Sequence, residues 1–166
     1  MKPPASNTFD AMQEIKALNK IPLDKNFVKK YDNIEAAFKK TAKEQGVQDY
    51  DNKIAAKLIK DSAPVIIELK KYFNRPRPKV SAKKMNVNMK DIEMASMKTA
   101  SYPSGHSVQG ILIGKVLSDK YPQAKSAFKK TAENISYSRR VARAHYKSDS
   151  DMGEKLGIAM YDHIKK

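Results

Sequence analysis

The sequence contains no cysteine among its 166 residues. This absence excludes a disulfide framework, a thiolate metal site and a cysteine nucleophile. It does not assign a compartment, because cysteine-free chains function under both reducing and oxidising conditions. Any covalent chemistry must therefore come from side chains other than thiols.

Long apolar runs are also absent. The longest, Val65–Ile67 and Ile111–Ile113, fall far short of the ~20 residues that a membrane-spanning helix needs. The N-terminal stretch MKPPASNTFD lacks the apolar middle of a signal peptide. We therefore expect no membrane span and a soluble protein, periplasmic if a leader peptide has been removed and cytoplasmic otherwise.

Positive charge dominates the composition, with a formal net charge of +15 and a sequence pI of about 9.8. Such a chain favours anionic partners, namely phosphate esters, nucleic acids or acidic membrane surfaces. The lysines form scattered pairs, such as Lys29-Lys30 and Lys129-Lys130, which are typical of solvated helix faces rather than of one nucleic-acid-binding stripe. We expect a small phosphorylated substrate and no specific nucleic acid; peripheral membrane contact and a homo-oligomer stay open.

Apolar residues recur at helical spacing, and there is no convincing alternating strand and no internal repeat. This pattern predicts an all-α protein, a compact bundle of about seven helices around a central pair. We expect a flexible N-terminal tail at residues 1–8 and a single helical domain at residues 9–166. The predicted helices cover residues 9–20, 24–45, 49–60, 62–73, 104–120, 122–144 and a last segment capped by Asp149 or Ser150, with a short helix at 89–97 inside a long connection at 80–102.

Two short patterns indicate anion binding. Lys70 and Arg77-Pro78 form K-x6-R-P across a predicted helix end and the rigid turn after it. Pro103-Ser104-Gly105-His106 stands where a helix begins, so backbone N–H groups, a hydroxyl and the positive end of the helix dipole meet there. Each pattern also has a simpler interpretation: an exposed lysine with a basic loop in the first, and an ordinary serine cap in the second.

A third pattern, S-R-x5-H-x3-D, places Ser138, Arg139, His145 and Asp149 in one stretch. Near the end of a helix and the turn after it, this spacing can aim a guanidinium, an imidazole and a carboxylate into one pocket. A carboxylate that binds one imidazole nitrogen fixes the tautomer and leaves the other nitrogen free to attack, and arginine forks onto phosphate-like groups. Taken alone, the stretch is better explained as a basic helix end.

Together and in this order, the three patterns resemble the signature of the type 2 phosphatidic acid phosphatase / vanadium haloperoxidase superfamily. Every signature position is matched, and the resemblance covers roughly Lys70 to Gly153. The compact length, the R-P-R-P form of the first pattern and the lack of membrane spans look most like the bacterial class A non-specific acid phosphatases. The resemblance implies an acid phosphatase/vanadium haloperoxidase-like helical fold.

The resemblance also implies a role for each matched residue. His145 would be the nucleophile that forms a phosphohistidine, Asp149 would orient it, and His106 would protonate the leaving alkoxide. The phosphoryl oxygens would be held by three cations, one hydroxyl and one backbone N–H: Lys70, Arg77, Arg139, Ser104 and Gly105. The implied activity is that of an acid phosphatase hydrolysing phosphate monoesters without a metal or cofactor, inhibited by vanadate, with vanadate or phosphate able to occupy the site.

Alternative functions stay open. The same cradle would serve a peripheral lipid phosphate or diphosphate phosphatase, or a vanadate-dependent haloperoxidase. The net charge alone would permit a non-catalytic basic module that binds nucleic acid or a membrane surface. The sequence does not identify the substrate, the oligomeric state or a role for residues 1–69, and we assign Arg140 and Arg143 to the surface or the rim of the pocket.

Overall fold

A computed structural model describes all residues from Met1 to Lys166. The chain forms helices and no strands, so the all-α prediction is confirmed, with eight α-helices where about seven were expected. None of the helices combines the length and the apolar character that a membrane crossing requires. In chain order the helices are α1 (Phe9–Asn19), α2 (Lys25–Asp32), α3 (Ile34–Glu44), α4 (Asn52–Phe73), α5 (Pro78–Lys84), α6 (Gly105–Lys120), α7 (Lys125–Val141) and α8 (Lys147–Ile164).

Helix α6 is the centre of the bundle and packs most extensively against α7 and α8. Glycines allow this close approach: a Cβ atom added at Gly114 would lie 2.8 Å from Cβ of Ala132 on α7. On α8, a Cβ atom added at Gly153 would lie 2.7 Å from the carbonyl oxygen of Ser104. The start of α8 is therefore held directly against the start of α6, where the Pro103–His106 pattern lies.

The prediction of one continuous helix over residues 24–45 is wrong, because the structure breaks this segment into two helices at Asn33. Asp24 does cap α2 with its side chain, but Asn33 adopts an extended backbone with φ −89° and ψ 106°. Its Oδ1 accepts a hydrogen bond of 2.9 Å from the Ala36 N–H, so Asn33 caps α3. The break leaves the last carbonyls of α2, including that of Asp32, free to bind groups outside the helix.

The predicted boundary between two helices near residues 60–62 is also wrong, because α4 continues through Pro64. Ser62, expected as an N-cap, instead donates its hydroxyl to the Ile59 carbonyl at 3.2 Å inside the helix. Packing of α4 against α3 and α6 outweighs the cost of an internal proline, roughly 3 kcal/mol. The helix ends at Phe73, and Asn74 caps it with a left-handed backbone (φ 42°), so Lys70 lies in the last turn.

The long connection before α6 differs from its prediction in two respects. Pro78 begins α5, a short helix that was not predicted although proline favours the first helical position. The short helix expected at residues 89–97 is wrong: only a 3₁₀ turn forms, at Ala95–Lys98. The rest of the connection is irregular, so its carbonyl groups are free to accept hydrogen bonds from other elements.

Helix α7 ends three residues before the predicted Ala144. Arg143 adopts a left-handed backbone with φ 57° just after it, so His145 lies in the turn between α7 and α8. Tyr146 is the N-cap of α8, and Asp149 is therefore the third helical residue rather than the predicted cap. From there the Asp149 carboxylate accepts the Tyr146 N–H at 3.0 Å and is directed back toward the turn that holds His145.

Candidate active site

His145 and Asp149 form a buried pair at the centre of the site. His145 Nδ1 lies 3.2 Å from Asp149 Oδ2, and the two residues are 4% and 0% exposed. Burial alone raises the pKa of Asp149, but its contacts with His145 and the charge of Arg75 hold that pKa below its usual value. The Asp149 carboxylate is therefore ionised and fixes the orientation of the imidazole ring.

The second imidazole nitrogen of His145, Nε2, lies 2.8 Å from Nη1 of Arg77. A guanidinium can only donate hydrogen bonds, so Nε2 carries the lone pair and Nδ1 carries the proton that Asp149 accepts. Burial lowers the pKa of His145; the hydrogen bond with Asp149 raises it only in part, and the positive charges of Arg77 and Lys70 lower it further. His145 is thus a neutral imidazole whose lone pair faces the cations of the site.

Lys70 and Arg77 enter the site from the end of α4 and from the turn after it. Lys70 Nζ donates to the Ala100 carbonyl at 2.6 Å, and Arg77 donates to the carbonyls of Thr99 at 2.9 Å and Ser96 at 3.0 Å. Burial lowers the pKa of Lys70 to about 7, to which the charge of Arg77 contributes, and lowers the pKa of Arg77 to about 10. An arriving anion would favour the charged form of both side chains.

Arg139, on α7, is 1% exposed and only partly satisfied. Its Nε donates to Ser138 Oγ at 3.0 Å, and its Nη1 donates to Asp32 Oδ1 at 3.0 Å. Nη2 is buried and has no hydrogen-bond partner. A buried donor without an acceptor is costly in free energy, so this nitrogen is available to any acceptor that enters the site.

His106 lies in the first turn of α6 and contacts the end of α2. Its Nε2 lies 2.8 Å from the main-chain carbonyl of Asp32, and because a carbonyl only accepts, Nε2 carries the proton. Burial lowers the pKa of His106 to about 4; the charges of Arg139 and Lys70 contribute to the shift, and Asp32 opposes it. The charge of Lys70 therefore acts on both His106 and His145.

The Ser104 hydroxyl belongs to a buried chain of hydroxyl groups. It lies 2.9 Å from Ser107 Oγ, which lies 2.8 Å from Ser136 Oγ, and Ser136 donates to Glu154 Oε1 at 2.7 Å. Ser104 Oγ accepts from both the N–H and the hydroxyl of Ser107, at 3.3 Å and 2.9 Å, so its own proton is available to a phosphoryl oxygen. The Gly105 N–H, which has no intrahelical acceptor, is available in the same way.

Three residues that no pattern identified, Arg75, Ser101 and Glu14, complete the surroundings of Asp149. Arg75 Nη1 donates to Asp149 Oδ1 at 2.6 Å, and the Ser101 hydroxyl donates to Oδ2. Arg75 is held in turn by Glu14 Oε2 at 2.8 Å and lies 3.7 Å from the centre of the Tyr146 ring. The R-P-R-P pattern predicted only the extended backbone of Arg75, and nothing in the sequence of α1 distinguishes Glu14.

Arg143 and Arg140 do not contact the His145 pair. Arg143 donates to the main-chain carbonyls of Asn19 and Ile21 and thereby fastens the end of α1 to the turn before His145. Arg140 lies 5.0 Å from the centre of the Tyr137 ring. Both side chains have structural contacts.

A sequence profile described as the PAP2 superfamily matches residues 54–162, about two thirds of the chain. The chain belongs to the PAP2 superfamily. The resemblance read from the three patterns is therefore confirmed. The matched PAP2 segment contains His145, Asp149, His106 and the three cations; Glu14 and Asp32 lie outside it.

Two curated relatives are the non-specific acid phosphatases of Salmonella typhimurium and Salmonella typhi, with 32% and 31% identity over 96 residues. Each alignment covers 58% of this chain and 38% of the relative, so the PAP2 chain spans about two fifths of the length of the curated relatives it matches. A solved crystal structure, described as the first transmembrane PAP2 type phosphatidylglycerolphosphate phosphatase, from Bacillus subtilis, superposes with a TM-score of 0.62. That match covers 94% of this chain and 83% of the other at 16% identity, and it shows a shared fold.

The lowered pKa of Lys70 should make anion binding depend on pH near neutrality. Below pH 7 Lys70 is protonated before and after binding; above it, binding must take up a proton. We therefore expect sulfate, whose charge is constant there, to bind up to about tenfold more weakly per pH unit above about 7 in titration calorimetry. The Lys70→Arg variant, charged throughout, should show a flat profile; equal slopes in both proteins would contradict this role of Lys70.

Proposed function

We propose that this PAP2 protein is a metal-independent phosphatase that hydrolyses phosphate monoesters through a phosphohistidine at His145. The observation that carries the proposal is the neutral imidazole of His145, whose Nδ1–H is held by Asp149 while its Nε2 faces buried cations. The names of the Salmonella relatives, non-specific acid phosphatases, support a monoester substrate. Phosphoryl transfer needs mainly positioning and neutralisation of charge, which the cations and the N-terminus of α6 can supply.

In the first half-reaction the Nε2 lone pair of His145 forms a bond to phosphorus while the bond from phosphorus to the ester oxygen breaks. Protonated His106 gives its proton to that oxygen, so the leaving group departs as a neutral alcohol. Lys70, Arg77 and Arg139 stabilise the charge on the non-bridging oxygens. Arg77, which donates to Nε2 in the structure, turns this donor to a phosphoryl oxygen as the substrate binds.

In the second half-reaction a water oxygen forms a bond to phosphorus, the bond between phosphorus and Nε2 breaks, and its electron pair returns to His145. Neutral His106 accepts a proton from the water, which restores its starting state. Throughout, Asp149 compensates the positive charge that the imidazole carries while it is phosphorylated. Inorganic phosphate is the second product.

A lipid phosphate is the second candidate substrate, because the solved structure with the same fold is described as a phosphatidylglycerolphosphate phosphatase. Parallel assays with p-nitrophenyl phosphate and with phosphatidate in vesicles separate the two candidates. A kcat/KM that is higher for the vesicles by an order of magnitude would favour the lipid, and the reverse would favour soluble monoesters.

Replacement of the nucleophile tests the mechanism directly. His145→Ala should lower kcat for p-nitrophenyl phosphate by at least about 10³-fold, whereas His163→Ala, an exposed histidine on α8, should leave it unchanged. Brief reaction of the native protein with ³²P-labelled substrate should give an alkali-stable protein label, and EDTA should not affect the rate. Equal activity in His145→Ala would refute the nucleophile, and loss of activity on chelation would refute metal independence.

The two histidines predict an optimum on the acidic side of neutrality. His145 is neutral because its pKa is lowered, while His106 must be protonated and has a pKa of about 4. The alkaline limb of kcat/KM should therefore begin near pH 4. The limb of kcat should lie at higher pH, because a bound phosphoryl group raises the pKa of His106. Rates that rise with pH toward alkaline values would contradict the acid role of His106.

Arg75 should affect turnover through Asp149 without touching the substrate. An ammonium cannot reproduce the guanidinium that joins Asp149, Glu14 and the Tyr146 ring. We expect Arg75→Lys to lower kcat by about 10–100-fold with little change in KM, because the imidazole of His145 is then less well oriented. Arg143→Lys is the control, because Arg143 binds the carbonyls of Asn19 and Ile21 and does not contact His145 or Asp149. Similar losses of kcat in both variants would show a merely structural effect.

A further inference from the structure

Asp32 is placed in the site by the break between α2 and α3. Because Asn33 leaves the helical conformation, the Asp32 carbonyl has no partner within α2 and accepts the Nε2–H of His106 at 2.8 Å. The same residue therefore holds the ring of the group that, in the proposed function, protonates the leaving group. Asp32 lies outside the segment that the PAP2 profile matches.

The Asp32 carboxylate lies between the two functional groups of this side of the site. Its Oδ1 is 3.0 Å from Nη1 of Arg139 and 3.7 Å from Nε2 of His106. Its Oδ2 has no hydrogen-bond partner in the protein, and the side chain is 48% exposed. A partly exposed negative charge thus lies against the guanidinium of Arg139, whose Nη2 is buried and unsatisfied.

Asp32 holds both of the side chains that would flank the scissile bond. Nε2–H of His106 is committed to the Asp32 carbonyl, so Nδ1 is the nitrogen left to exchange a proton with the ester oxygen. Nη1 of Arg139 is bound to Asp32 Oδ1, while Nη2 on the same guanidinium carbon is left for a phosphoryl oxygen, so a substrate bound there lies within Coulombic range of the Asp32 charge. Like charges at such a distance repel even in a partly solvated site, whereas a hydroxyl or ammonium group gains a hydrogen bond.

On the basis of the phosphatase function proposed above, we propose that Asp32 selects the leaving group. Its carboxylate favours monoesters of neutral hydroxyl-bearing or cationic alcohols and disfavours substrates with a second negative charge next to the scissile bond, such as diphosphates. Arg139 is left with Nη2 for the phosphoryl group while its Nη1 is neutralised by Asp32. Asp32 is thus a specificity-determining residue at the leaving-group side.

The test compares kcat/KM for glycerol phosphate and for inorganic pyrophosphate in the native protein and in Asp32→Asn. We expect the ratio of the two constants to shift about tenfold toward pyrophosphate in the variant. Asp162→Asn, which removes an exposed charge at the end of α8, is the matched control and should leave the ratio unchanged. Asp32→Ser repeats the loss of charge with a different side chain.

If Asp32→Asn only loosened the side chain of Arg139, kcat/KM would fall equally for both substrates. An unchanged ratio of the two constants, or a shift toward glycerol phosphate, therefore overturns the proposal. Titration calorimetry with phosphate and pyrophosphate distinguishes failure of the Asp32 proposal from failure of the phosphatase function. If the native protein binds both anions but hydrolyses no ester, the phosphatase function fails, and the ratio of the two dissociation constants in Asp32→Asn still decides the role of Asp32. Absence of binding of either anion overturns both.

Discussion

The carboxylate of Asp149 has no exposed surface, and the site depends on the hydrogen bonds that make this burial tolerable. An ionised carboxylate away from water is strongly unfavourable unless its oxygens are satisfied. Oδ1 is bound by Arg75, and Oδ2 by three donors: the Ser101 hydroxyl, the Tyr146 N–H and His145 Nδ1. These donors come from the turn after α4, the connection before α6 and the start of α8. One buried charge therefore holds together the three segments that carry the sequence patterns.

The buried cations need hydrogen-bond acceptors, just as the buried carboxylate needs donors, because burial lowers the pKa of both Lys70 and Arg77. Main-chain carbonyls of residues 96–100 supply these acceptors. A helix leaves only the carbonyls of its last turn without a partner, whereas irregular chain leaves most of its carbonyls free. The Thr99 and Ala100 carbonyls lie in irregular chain just after the 3₁₀ turn at Ala95–Lys98, where they are available to Arg77 and Lys70.

Signals that lie close together in the sequence could be predicted, and those that depend on distant contacts could not. The start of α6 is predicted by the Pro103-Ser104-Gly105 turn, because Ser104, the N-cap, is adjacent to the first helical residue Gly105. The end of α7 was misplaced, because Arg143 is not a residue type that favours the left-handed backbone it adopts. Pro64 was read as a helix start, because the packing that keeps α4 continuous is invisible in its own sequence.

The N-terminal helices lack any pattern of their own, yet they determine where positive charge remains uncompensated. Glu14 pairs with Arg75 across 61 residues, and Asp32 pairs with Arg139 across 107 residues. Lys70 and Arg77, in contrast, have only neutral carbonyl, hydroxyl and imidazole groups as hydrogen-bond acceptors. The uncompensated charge is thus concentrated beside Nε2 of His145, since Arg77 contacts that nitrogen directly. An anion attracted to the site is therefore drawn toward Nε2 of His145, and the carboxylates of α1 and α2 make this position the preferred one.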